Sequence, residues 1–217
     1  MKKLTYFLIL LLSLILAKAT KVDANMMSKF DNERANYSQI DNQQYLNCLG
    51  HLTSKIAFNN DLYASVMIAQ ALLESGWGNS KLAQAPNYNL FGVKANRDRN
   101  VVTYWTQENN KIGDNYQIIS NFQKYDSYND SIEDYVKLLR LGLHDDTNFY
   151  ANTWRSRTQS YRDVTDFLGK KYATDKNYAN KLNYLIKKYN LTKFDQLNFG
   201  DELELNEIDQ APIFVVK

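Results

Sequence analysis

Leu62-Tyr63-Ala64-Ser65-Val66-Met67-Ile68-Ala69-Gln70-Ala71-Leu72-Leu73-Glu74-Ser75-Gly76-Trp77-Gly78 is the most apolar run of the chain beyond its N-terminal segment. Ala64, Val66, Met67, Ile68, Ala69, Ala71, Leu72 and Leu73 leave almost no polar face. A helix that is apolar all round has to be surrounded by the rest of its domain. The run therefore predicts a central helix over about Leu62–Ser75. Gly76 and Gly78 supply the stop, and Trp77 between them reads as a wedge that fixes the helix end. Asn59-Asn60-Asp61 breaks whatever precedes and offers N-caps.

Working outward, a helix is expected from about Ser38 to Phe58. Cys48 falls there among Tyr45, Leu49, Leu52 and Ile56, spaced as one face, which predicts a buried structural thiol. Residues 79–100, with Pro86 and several asparagines, read as short-range structure and loop. From Val101 the period changes to two. Val102, Tyr104, Thr106 and Glu108 share one strand face, and Tyr116, Ile118, Ser120 and Phe122 share another. Asn109-Asn110 and Gly113-Asp114-Asn115 lie between them, so the segment reads as a β-hairpin. Helices then return. Asp130-Ser131-Ile132-Glu133 and Ser160-Tyr161-Arg162-Asp163 look like capping patterns. Ile132, Tyr135, Val136 and Leu139 form an apolar stripe. Thr174 is expected to open a last helix carrying Tyr178, Leu182, Leu185, Ile186 and Tyr189. Helices, one hairpin and more helices make an α+β, mainly α protein rather than a doubly wound sheet.

The 217 residues suit one globular domain with a tail, and 44% hydrophobic content is enough for a core. A single cysteine excludes a disulfide framework, and with two histidines it leaves little for a zinc site. Eight glycines show no dinucleotide or P-loop spacing, so no nucleotide is expected. The net charge of +2 is unevenly placed. Residues 1–24 carry +3 and residues 194–217 carry −5, which leaves +4 for 25–193. No basic cluster stands out, so no nucleic acid is expected either. No metal or cofactor is implied, and a monomer is the expectation.

Lys2 and Lys3 precede a run from Leu4 to Ala17 that is almost unbroken Leu, Ile, Phe and Ala. Such a run is short of the roughly 20 residues that span a bilayer but matches a signal-peptide core. Ala17-Lys18-Ala19 and Val22-Asp23-Ala24 are both small-x-small cleavage sites. The second is favoured and would start the mature chain at Asn25. An uncleaved anchor is the alternative, and either way the rest lies outside the cytoplasm. The expected organisation is a signal peptide over 1–24, a catalytic domain over 25–193 (core about 38–192) and an acidic tail over 194–217.

Glu74 stands out on physics alone. It falls in the last turn of the apolar helix, facing the negative end of the macrodipole. Apolar surroundings penalise its charge further, and both effects raise its pKa. A carboxyl held protonated near neutral pH suits a general acid. Gln70 lies one turn earlier on the same side, continued by Met67 and Tyr63. A carboxylate reaching out to water at the helix end stays equally open on spacing alone. Glu108, among polar neighbours on the hairpin, is the natural second acid, with a solvated hairpin charge as the alternative. One apolar carboxyl and one wet carboxylate suit glycoside hydrolysis. Trp77, Phe91, Tyr104, Trp105, Tyr172 and Tyr178 flank the two acids, although core packing is the commoner role for any one of them. His144 beside Asp145 and Asp146 reads as a solvated loop.

The run Ala69-Gln70-Ala71-Leu72-Leu73-Glu74-Ser75-Gly76-Trp77-Gly78 resembles the signature of bacterial cell-wall β-N-acetylglucosaminidases of glycoside hydrolase family 73, which includes many autolysins and the muramidase-like domain of the flagellar rod protein. Further similar blocks follow in family order. They are Ser80-Lys81-Leu82-Ala83, Asn89-Leu90-Phe91-Gly92-Val93-Lys94, Thr106-Gln107-Glu108, Phe122-Gln123-Lys124-Tyr125-Asp126-Ser127, and Tyr172-Ala173-Thr174-Asp175-Lys176-Asn177-Tyr178-Ala179-Asn180-Lys181-Leu182. The resemblance implies a lysozyme-like fold, with an α-lobe and a hairpin lobe around a cleft. It implies that Glu74 is the general acid, that Glu108 serves as base or stabiliser, and that Tyr172 is the tyrosine implicated in catalysis. Tyr178 is a less favoured claimant to that role and is expected, with Asn89 and Phe91, to contact substrate.

The activity implied is a secreted, wall-associated endo-β-N-acetylglucosaminidase acting on peptidoglycan glycan strands. A lytic transglycosylase, a non-catalytic peptidoglycan-binding domain and, more distantly, a cysteine hydrolase built on Cys48 are the rivals. Many members carry repeated wall-binding modules; no such repeat occurs in these 217 residues, and the acidic tail would repel anionic wall polymers.

Overall fold

The computed structural model describes residues 39–95, 100–109, 115–171 and 175–196. The expected signal peptide, and the acidic tail beyond residue 196, lie outside them. Among the described residues the order is α1 (Gln39–Asn59), α2 (Ala64–Glu74), β1 (Val101–Asn109), β2 (Asn115–Gln123), α3 (Tyr128–Leu141), α4 (Tyr161–Lys171) and α5 (Tyr178–Lys188). Short 3-10 turns lie at Ala151–Thr153, Arg155–Arg157 and Leu191–Asp195. The protein is mainly helical with one two-stranded antiparallel sheet, as the alternation of periods predicts.

Helix α2 is central. All its residues but Leu73 are buried, and it packs against α1, α4, α5 and the Leu191–Asp195 turn. The helices around it present stripes at helical spacing. Leu46, Leu49, Gly50, Thr53 and Ala57 are buried on α1, and Ile132, Tyr135, Val136 and Leu139 on α3. Cys48 lies beside the α1 stripe and is half-buried, less enclosed than the buried thiol its spacing predicts. Gly50 is where α1 and the C-terminal turn touch. A Cβ there would sit 2.3 Å from the Phe194 ring. Phe194 is itself buried, so the packed unit continues past residue 193, where the tail was expected to begin.

The helix ends show where local reading and structure part. The N-terminus of α2 takes no cap from Asn59-Asn60-Asp61. Its cap comes from Asp195, whose Oδ1 accepts the Ser65 N–H at 2.8 Å across 130 residues of sequence. Asp61 instead binds Ser156, through the backbone N–H at 2.9 Å and the hydroxyl, and Arg140 at 3.3 Å. Helix α3 is capped by Ser127, three residues before the expected Asp130. The Ser127 Oγ accepts the Asp130 N–H at 3.1 Å and donates to Asp130 Oδ2 at 2.8 Å. At α4 the reciprocal half of the expected capping box is found, with Asp163 Oδ2 accepting the N–H groups of Gln159 and Ser160. Helix α5 begins at Tyr178 rather than Thr174. Asp175 accepts the Asn177 N–H on its side chain and the Tyr178 N–H on its carbonyl, closing a tight turn before the helix.

The strands pair from Val101↔Gln123 to Asn109↔Asn115, so Val102, Tyr104, Thr106 and Glu108 stand opposite Phe122, Ser120, Ile118 and Tyr116 on one face. Phe122 and Ser120 are buried on that face, while Trp105 and Ile119 are exposed on the other. The hairpin is tied to the helices by residues 87–95. Gln123 N–H donates to Val93 O and Ala95 N–H to Asn121 O, both at 3.0 Å. Asn87 Nδ2 donates to the Tyr104 hydroxyl at 3.1 Å.

Replacing Asp195 with Ala removes the α2 cap and a negative charge from the positive end of its dipole. The expected loss is about 1–2 kcal/mol of stability, read as a lower denaturant midpoint at unchanged slope.

Candidate active site

The last turn of α2 ends in a compact reversal. Ser75 Oγ donates to Ala71 O at 2.5 Å and accepts the Gly78 N–H at 2.7 Å. Gly76, Trp77 and Gly78 all have positive φ (56°, 63° and 77°). Trp77 takes this disfavoured conformation while burying its indole, edge-on to Tyr189 at 4.8 Å between centroids. It is the wedge its flanking glycines suggest. At Gly78 a Cβ would meet the Tyr45 hydroxyl at 2.9 Å.

Glu74 is only 7% exposed. Burial pushes its pKa from 4.5 up to about 7, against lowering contributions from the Tyr178 hydrogen bond and the Lys181 charge; Asp175 adds a smaller raising one. The Tyr178 hydroxyl donates to Glu74 Oε1 at 2.9 Å, and Gln70 Nε2 donates to the same hydroxyl at 3.2 Å. The phenol is pushed well above its ordinary pKa by burial and by the neighbouring Glu74, so it remains a donor. One turn further along α5, Lys181 Nζ lies 2.6 Å from Asp175 Oδ2, a nearly fully buried ion pair. The carboxyl thus sits between a desolvating wall, which favours the neutral acid, and donors that favour the anion. A carboxyl balanced near neutrality can give a proton to a leaving group and hold the resulting charge.

The sequence-predicted site residues fall into three groups. Glu74 and Tyr178 come together in direct contact, although Tyr178 was expected to touch substrate. Asn89 and Phe91 are built into the scaffold instead. Asn89 is 1% exposed and uses its amide on Val93 O, Gln123 O and the Val93 N–H, clamping the 89–93 turn to the hairpin. Phe91 is buried and stacked on Tyr135 at 4.1 Å. Glu108 is placed by backbone register on the strand face shared with Tyr104, opposite Tyr116, and Tyr172 lies outside the described residues. Two partners of Glu74 were not foreseen as site residues, the Lys181–Asp175 pair. A signal existed, because Lys181 occupies a position of the buried stripe Tyr178, Lys181, Leu182, Leu185.

Other reactive groups lie elsewhere. The Cys48 thiol is pushed up in pKa by burial, which disfavours the nucleophilic thiolate. The ring of His51 packs edge-on to Phe194 at 6.0 Å. His144 is exposed and faces Asp145 at 2.9 Å. Among the described residues, no three His, Cys, Asp or Glu side chains gather as a metal-binding group.

Comparison with known proteins places this geometry in context. Residues 50–191 match the Glucosaminidase family, described as mannosyl-glycoprotein endo-beta-N-acetylglucosaminidase. An autolysin of Enterococcus faecalis is 44% identical over 154 residues, covering 70% of this chain and 21% of that protein. The exo-glucosaminidase LytG of Bacillus subtilis is 34% identical over 199 residues, covering 91% of this chain and 68% of LytG. The crystal structure of the catalytic domain of the autolysin Auto from Listeria monocytogenes superposes with a TM-score of 0.68 at 42% identity, covering 81% of this chain and 99% of that domain. The chain spans about a fifth to a quarter of the length of the curated relatives it matches at 44% identity.

The raised pKa has a consequence for stability that needs no assay of activity. Below about pH 4.5 Glu74 is protonated in both folded and unfolded chains. Above about pH 7 the folded chain holds a desolvated anion, so stability falls as pH rises between these values. Glu74→Gln removes that fall. The variant should gain about 3 kcal/mol over the parent at pH 8 and little at pH 4, measured by denaturant titration at both.

Proposed function

The chain belongs to the glucosaminidase family, and from that premise we propose that it is a secreted, autolysin-like peptidoglycan hydrolase that cleaves the β-1,4 bond after N-acetylglucosamine within glycan strands. The observation that carries this reading is the Glu74 carboxyl, buried at the end of α2, bonded to Tyr178 and held near neutrality. Glu74 in its protonated form donates to the glycosidic oxygen as the bond to the anomeric carbon breaks. Glu108, on the hairpin, activates water or stabilises the oxocarbenium-like sugar. Alternatively the substrate's own N-acetyl oxygen attacks the anomeric carbon, with Tyr172 and Glu108 assisting. No step of this scheme requires a metal or cofactor.

The hairpin supports the assignment of Glu108 by its attachment. Asn87 and Asn89 fasten both of its strands to the loop that follows the α2 reversal, at whose start Glu74 lies. Export follows from the Lys2-Lys3 and Leu4–Ala17 run, with cleavage after Ala24 the favoured processing, and the mature protein acts as a monomer.

The test is a product analysis. Purified protein is incubated with peptidoglycan, the products are reduced with borohydride, and the end groups are identified by mass spectrometry. Reduced N-acetylglucosamine ends are expected. Anhydro ends would move the chain to the transglycosylases, and reduced N-acetylmuramic acid ends would reassign the bond. Glu74→Gln should lower turnover by roughly 10²–10⁴-fold with the fold retained, and wild-type hydrolysis by that variant would sink the assignment. Because the acid is needed protonated, turnover should fall as pH rises through about 7.

A further inference from the structure

A carboxylic acid has two oxygens, and acid catalysis needs the proton on the one that faces substrate. Gln70 and Glu74 are four residues apart on α2, so their side chains stack on one side of the helix. Tyr178, the first residue of α5, bridges them. Its oxygen accepts from Gln70 Nε2 at 3.2 Å, and its proton goes to Glu74 Oε1 at 2.9 Å. Gln70, Tyr178 and Glu74 are 0%, 2% and 7% exposed, so water does not compete for these bonds.

The direction of this chain is set by valence. A phenol has one proton; the Gln70 amide approaches its oxygen as a donor, and Glu74 Oε1 is the acceptor that receives that proton. Oε1 is then an acceptor whether Glu74 is charged or neutral. Among the described residues Gln70 Oε1 is buried without a hydrogen-bond partner, while its N–H serves the phenol. Among the described residues the charged groups acting on Glu74 are Lys181 and Asp175, and Tyr135 on α3 acts on Tyr178.

From this arrangement we infer that Tyr178, anchored by Gln70, is a positioning residue that reserves Glu74 Oε1 as an acceptor and directs the catalytic proton onto Oε2. The inference rests on Glu74 being the general acid, as proposed above. It replaces a substrate contact by Tyr178 with an action through Glu74. Tyr178 loses no proton in the reaction. It remains a donor to Oε1 while Oε2 delivers its proton and becomes anionic.

The test is the pH profile of turnover on soluble glycan fragments for the parent, Tyr178→Phe and Gln70→Met. Tyr178→Phe should lower kcat about tenfold or more at unchanged KM. It should also move the alkaline limb to higher pH, because the lost hydrogen bond had favoured the carboxylate. Gln70→Met conserves volume and keeps the phenol, and it should move the limb in the same direction by less. It carries the test alone if the phenylalanine variant does not fold. An unmoved limb overturns the inference, and so does a raised KM at unchanged kcat, which would make Tyr178 a substrate contact. Glu74→Gln is measured alongside. Retained turnover there overturns the general-acid reading itself, whereas an inactive Glu74→Gln with an unmoved limb in Tyr178→Phe overturns only the positioning role.

Discussion

Everything in this molecule is arranged around a helix that cannot face water. With ten of its eleven residues buried, α2 has to be enclosed on every side, and removing that much apolar surface from solvent is the main favourable contribution to the fold. The enclosure is provided by chain from both ends, by α1 ahead of it and by α4, α5 and the Leu191–Asp195 turn long after it. Even the polar groups at its N-terminus are served from 130 residues away, by Asp195. The helix is therefore both the centre of the core and the rod along which the site is built.

The same burial creates the chemistry. A carboxyl at the end of such a rod is desolvated by construction, and each unit of pKa change corresponds to about 1.4 kcal/mol of difference between its charged and neutral forms. Burial by itself favours the neutral form of Glu74. One element counters this. Helix α5 brings the Tyr178 hydroxyl to Oε1 and, one turn on, the Lys181 charge, which is in turn held by Asp175 from the turn before the helix. A buried ion pair of this kind contributes little net stability. Its effect here is electrostatic: it places a positive charge near the buried Glu74 carboxyl, which favours the anion.

Much of this was legible in the sequence. The unbroken apolar run over 62–75, the period of 3.6 over 132–139 and 178–186 and the period of 2 over 101–108 and 116–122 identify the elements and their type, because burial follows backbone geometry. The Glu-Ser-Gly-Trp-Gly run marks the helix end and the acid together. Caps were less legible. Asp61 and Asp130 have the right chemistry in the right neighbourhood, yet Asp61 is spent on Ser156 and Arg140, and Asp130 is the partner of the Ser127 cap. A side chain that can cap locally can equally bind any donor the fold brings near. Asn89 and Phe91, buried in the scaffold, carry a related ambiguity. Asparagine and phenylalanine serve a turn or a core as readily as a ligand, and only neighbours decide between these uses.

What the amino-acid sequence determined by itself is the set of elements, the need to enclose α2, and an acid at its end with reason to be protonated. These depend on residues close in the chain, where spacing is geometry. What only the tertiary structure decided is which groups meet that acid. Gln70 is on its own helix, but Tyr178 comes from 104 residues away, and Lys181 and Asp175 come with it. Hydrogen bonds and charge act over a few ångströms in space, so their partners are fixed by packing, and no periodicity along the chain records them.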